Sequence, residues 1–106
     1  MMRVRVCPIA DVPNGEVIKA ELPGRCPIAL YNLDGEYYAT DDLCTHGEAS
    51  LSEGAIEGDQ IVCPFHGGTF DIRSGEATGS PCYIPLKTFP VHVEDGELHV
   101  ELPRPE

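Results

Sequence analysis

No apolar run in this chain approaches the roughly 20 residues that a membrane-spanning helix requires, and the opening "MMRVRVCPIADVPNGE" has no apolar core ahead of a small-residue cleavage site. The expectation is a soluble, cytoplasmic protein. Basic residues are scarce too: seven Lys and Arg stand against 18 Asp and Glu, a formal charge of -11, which disfavours nucleic acid or anionic membrane as a partner. No segment sustains a 3.6-residue apolar period, and none repeats or falls into low complexity. A helical fold and a disordered chain are both excluded on that ground. A complete set of disulfides is excluded as well, because the five cysteines are odd in number.

What the 106 residues do contain is punctuation, with 11 Gly and 10 Pro breaking short runs of Val, Ile, Leu and Tyr. The pattern predicts one all-β domain of antiparallel strands. Strands are expected at 3–8, 16–22, 26–33, 36–40, 55–57, 60–63, 69–71, 88–94 and 97–102. The words "LDGE" at Leu33 and "EDGE" at Glu94 predict two-residue hairpins, since Asp-Gly takes up the positive φ angles of a type I′ turn. In the second hairpin Val93 should face Leu98 and Val91 should face Val100. His92 then lies opposite His99 among Glu94, Glu97 and Glu101, an exposed charged face with no part in the chemistry. Residues 1–40 and 85–106 form the expected β-sandwich base, and 41–84, rich in Gly, Ser, Thr and Pro, a loop-rich insertion carried on it.

That insertion holds "CTHGEASLSEG" from Cys44 and "CPFHGG" from Cys63: Cys-x-His, sixteen intervening residues, then Cys-x-x-His. Two Gly-rich loops thus supply four side chains able to bind a metal, Cys44, His46, Cys63 and His66. A structural zinc site is one reading, although zinc modules commonly take like ligands from each loop. A binuclear centre accounts better for one thiolate and one imidazole per loop, with one iron taking both Cys and the other both His. Gly47, Gly67 and Gly68 are expected to supply positive φ and close backbone approach, so that amide N–H groups point at cluster sulfur. Cys7, Cys26 and Cys82, beside prolines and away from any His, read as small, partly buried thiols.

At these residues the chain resembles the Rieske iron-sulfur proteins. The likeness runs from "DDLCTHGEASLSEG" through "IVCPFHGGTFDIRSGEATGSP" to "IPLKTFPVHVEDGELHVEL". It implies a Rieske-type [2Fe-2S] cluster, with Cys44 and Cys63 on the inner iron and His46 and His66 on the outer one. "ATGSPCYIP" would be the family's third, proline-containing loop. High-potential relatives carry a disulfide and Ser and Tyr hydroxyls at positions that here look to be Ala49, Phe65, Gly68 and Phe70, so a low-potential centre is expected.

The resemblance is nearest to the ferredoxins of multicomponent aromatic-ring dioxygenases. It implies a one-electron carrier, itself no enzyme, and a monomer in solution. Its partners would be an NAD(P)H-dependent flavoprotein reductase and a terminal oxygenase. The alternative is a Rieske-like small subunit of another oxidoreductase, such as nitrite reductase. Docking is expected at the cluster tip, on Phe65, Pro81, Tyr83 and Pro85 ringed by Glu48 and Glu53.

Overall fold

A computed structural model describes residues 2–45, 49–65, 67–80 and 84–103. Eleven strands are present among them: β1 (Met2–Pro8), β2 (Val17–Ala20), β3 (Ile28–Leu33), β4 (Glu36–Asp41), β5 (Ala55–Glu57), β6 (Gln60–Val62), β7 (Thr69–Asp71), β8 (Ala77–Gly79), β9 (Thr88–Phe89), β10 (Val91–Glu94) and β11 (Glu97–Leu102). Short 3-10 turns lie at Ile9–Asp11 and Leu51–Glu53. Every pairing is antiparallel, as the all-β reading requires.

Both Asp-Gly hairpins form as their sequence demands. Asp34 and Gly35 have φ of 53° and 87°, Asp95 and Gly96 of 51° and 73°, so both central residues of each turn are left-handed. Asn32 locks the first turn. Its buried amide donates to the Val12 carbonyl at 2.8 Å, and its side-chain oxygen accepts the Gly35 N–H at 2.8 Å. In the second hairpin Val91 pairs with Val100, His92 with His99 and Val93 with Leu98, the register expected from the turn. Leu98 and Val100 are buried, while Val93 on the outer strand stays half exposed.

The strands make three sheets, ordered β1-β11-β10, β2-β3-β4-β9 and β5-β6-β7-β8. Two features depart from the expected strand pattern. Residues 88–94 are divided at Pro90, which has no N–H for a ladder: β9 pairs with β4, and β10 beyond the proline pairs with β11. Strand β8 was not expected, since Ala-Thr-Gly has no apolar run to mark it. It is held by pairing with β7 and by the Thr69 and Thr78 hydroxyls, 2.9 Å apart.

All six residues of β3 are buried. Side chains alternate across a strand, so Ala29, Tyr31 and Leu33 face one core and Ile28 and Leu30 the other. The second core contains Leu98, Val100 and Leu102 of β11 and closes the sandwich. The first contains Leu51, Ile61, Phe70, Ile72, Leu86, Cys44 and Cys63. The β2-β3-β4-β9 sheet is therefore a middle layer, and the thiols of the candidate site sit in the core on its far side.

Candidate metal centre

The first loop is built on a narrow strip of pairing beyond β4. Asp42 accepts the Leu51 N–H at its carbonyl (2.7 Å) and the Ser52 N–H at its carboxylate (2.9 Å). Leu43 bridges Ser50, and Cys44 donates its N–H to the Ala49 carbonyl at 2.9 Å. The second loop, between β6 and β7, closes in the same way: Cys63 donates its N–H to the Gly68 carbonyl at 2.7 Å. In each case a cysteine bonds to the carbonyl of the fifth residue after it. Positions 46 and 66 fall in sequence between these bonded ends. His46 and His66 themselves, with Gly47 and Glu48, lie outside the described residues.

Gly67 takes the expected positive φ of 71°. Gly68 has no such φ and contributes its carbonyl instead.

Cys44 and Cys63 are both buried and free of any disulfide, and their thiols are hydrogen-bonded to each other. Burial pushes the Cys63 thiol up and the Cys44 contact adds to this, while the backbone N–H of Phe65 at its sulfur pulls the other way. The Cys63 thiol, raised chiefly by burial, is costly to ionise without a cation. The pair, with an amide already aimed at one sulfur, suits a metal that removes both protons. The donor set therefore fits the thiolate half of a mixed Cys/His cluster.

Around this pair the structure places Phe70, Phe65 and Pro85, which the sequence had marked, and brings in Leu43, Thr45, Ile84 and Asp42, which it had not. Phe70 is fully buried in the same core. The Thr45 hydroxyl donates to the Ile84 carbonyl at 2.6 Å. Leu43, Phe65 and Ile84 are each about half exposed, and Pro85 is exposed. Pro81, Cys82 and Tyr83 lie outside the described residues. Nothing in the pattern marks Leu43 or Ile84, since an apolar residue in a loop reads as core until the fold turns it outward. Asp42 was equally hidden, although an Asp ahead of a turn is a capping signal.

Cys7 is buried, and burial raises its thiol, whereas Cys26 is exposed, contrary to the expected partial burial. His92 lies 2.6 Å from Glu101 and His99 4.0 Å from Glu94, on the charged outer face expected of them. Among the described residues no helix is long and apolar enough to cross a membrane.

A paired-loop thiol site on a three-layered antiparallel fold defines an iron-sulfur protein. The chain belongs to the Rieske [2Fe-2S] domain family, whose model matches residues 2–90. Its cofactor is a Rieske-type [2Fe-2S] cluster. It is 46% identical over 100 residues to the ferredoxin component of the p-cumate 2,3-dioxygenase system of Pseudomonas putida, covering 93% of this chain and 85% of that one. Among solved structures, the ferredoxin of Sphingomonas yanoikuyae B1 is 46% identical with a TM-score of 0.91, covering 96% of this chain and 100% of that one. A chain of the complex of reduced oxygenase and oxidized ferredoxin in carbazole 1,9a-dioxygenase is 45% identical with a TM-score of 0.88, covering 92% and 91%. A putative nitrite reductase small subunit, 24% identical with a TM-score of 0.79, shares the fold.

Proposed function

We propose that this chain is the ferredoxin of an aromatic-ring dioxygenase system, a cytoplasmic one-electron carrier and not itself the catalyst. It would take electrons from an NAD(P)H-dependent flavoprotein reductase and pass them to the terminal oxygenase. The observation that carries this reading is the pair of like-closed loops presenting Cys44 and Cys63, in a chain that matches ferredoxin components along nearly their whole length. The nitrite reductase alternative is less favoured, because that likeness extends only to the fold.

Within this reading Cys44 and Cys63 hold one iron and His46 and His66 the other. Residues 41–84 act as the cluster-binding unit and 1–40 with 85–106 as the base, in keeping with a third sheet drawn wholly from 55–79. When bound, the cluster takes up and gives back one electron. The chain's own residues keep the thiolates dry in the core, aim the Phe65 amide at sulfur, and present an apolar rim at Leu43, Phe65 and Ile84. Residues 41–84 include eight carboxylates and a single basic residue, Arg73. A small apolar contact within an acidic field suits a partner with a basic docking patch and a complex that forms and parts quickly.

The test is electron paramagnetic resonance of the dithionite-reduced protein, where a mixed Cys/His centre gives a lower average g value than an all-Cys one. His46→Ala and His66→Ala should each abolish that signal. An unchanged spectrum in either variant would remove that residue from the site, and a colourless protein holding zinc would overturn the reading altogether.

A further inference from the structure

Among the described residues the buried polar side chains are Asn32, Thr40 and Asp42, and Asp42, 2% exposed, is the one carboxylate of the three. Its place follows from the short ladder that carries the first loop. Leu43 and Ser50 form an antiparallel bridge, flanked by the Leu51 N–H bond to the Asp42 carbonyl at 2.7 Å and the Cys44 N–H bond to the Ala49 carbonyl at 2.9 Å. Side chains alternate along such a ladder, so 42 and 44 share one face with 49 and 51, and 43 and 50 take the other. Burial agrees: Cys44 and Leu51 are buried and Ala49 packs on the same core, whereas Leu43 is 53% exposed. Asp42 therefore stands in one row with Cys44, their Cα atoms about 6–7 Å apart at the rise of an extended strand.

A charge in that row is costly, and little offsets it. The Asp42 carboxylate accepts the Ser52 N–H at 2.9 Å, while Arg25 is engaged by the neighbouring Asp41, and among the described residues no cation pairs with Asp42. An uncharged Ser, Thr or Asn would cap the same N–H. The field of the carboxylate reaches the core that holds the thiols, since it adds to the upward push on the Tyr31 phenol, which packs there.

We propose that Asp42 sets the potential of the cluster: its buried negative charge, aligned with Cys44, disfavours the reduced state. The proposal rests on the ligand reading above, in which Cys44 holds an iron. Reduction brings one electron, and so one more negative charge, to the site. A fixed charge of the same sign on the buried face, poorly screened by water, raises the energy of that state and lowers the potential.

The experiment compares by voltammetry three holo proteins: the native chain, Asp42→Asn, which keeps an oxygen to accept the Ser52 N–H and removes the charge, and Glu53→Gln, which removes an equal charge from an exposed position of the same turn. D42N should keep the mixed-ligand resonance spectrum and lie above the native potential, by about the same difference at high salt as at low. E53Q should differ much less from the native chain, and that difference should vanish in salt. A native potential in D42N, or an E53Q shift as large as that of D42N, would overturn the proposal, the second result assigning the effect to net charge alone. Should D42N assemble no cluster, Asp42→Ser makes the same comparison, since a hydroxyl caps without charge. A native protein without the mixed-ligand spectrum would overturn the ligand reading, whereas a normal spectrum with an unaltered potential in D42N overturns the role of Asp42 alone.

Discussion

Phe70 is buried without any exposed surface in the core that holds Cys44 and Cys63, and it carries no hydroxyl to offer a cluster sulfur or thiolate. Hydrogen bonds to sulfur stabilise the reduced, more negative state, so the lack of a hydroxyl at this position favours a lower potential. Voltammetry should place the protein near the bottom of the Rieske range of about -150 to +300 mV. Phe70→Tyr should raise the potential where the new hydroxyl reaches sulfur, and should cost about 1–3 kcal/mol where it finds no partner. A potential well above zero in the native chain would count against the low-potential reading. Tyr31 gives a second prediction at this scale. Burial pushes its phenol far up, the Thr40 hydroxyl 2.8 Å away works against this, and the charge of Asp42 adds to it. A phenol raised in the folded state contributes stability fully present below its unfolded value of about 10, and lost as pH rises above that value. Denaturant unfolding from pH 8 to 11 should show this loss, and Tyr31→Phe should flatten it.

Among the elements, the turn between β7 and β8 does most to join the insertion to the returning chain. The Asp71 carboxylate accepts the N–H groups of Arg73 and Ser74, and Gly75 follows at a φ of +80°. A Cβ on Gly75 would stand 2.4 Å from the Leu86 carbonyl oxygen and 3.0 Å from the Thr88 methyl. Gly75→Ala combines a left-handed backbone with a clash against main chain and should destabilise by on the order of 2–4 kcal/mol, read as a lowered denaturant midpoint. Elements of this kind were only partly legible in the sequence. The Asp-Gly hairpins could be read to the residue because their conformation is dictated by two adjacent positions. Strand β8 could not, because its pairing with β7 is decided by residues further along the chain. The division at Pro90 is written in the proline, but the change of sheet there depends on where β4 and β11 lie. At the site, the thiol pair was readable from spacing, whereas the Thr45 tether joins residues that no local pattern connects.

On the scale of the whole molecule, charge and layering matter most. Carboxylates outnumber basic residues in the insertion that also carries the apolar rim, and Glu53 is exposed beside the first loop. On the proposed partnership, raising salt from low ionic strength should slow reduction by the flavoprotein reductase, and Glu53→Lys or Glu48→Lys should slow it roughly two- to tenfold at low salt. Stopped-flow traces at several salt concentrations make the comparison. Rates indifferent to both would leave the acidic surface with a role in solubility only. The layering has a consequence for how such a chain changes over generations. Strand β3 is shared by two cores, so six consecutive residues answer to two masters. A saturation library across Ile28–Leu33 should divide by parity: substitutions at 29, 31 and 33 should register chiefly in cluster retention and colour, those at 28 and 30 chiefly in folding yield. Drift towards a new potential would therefore leave its record at every second position of this strand.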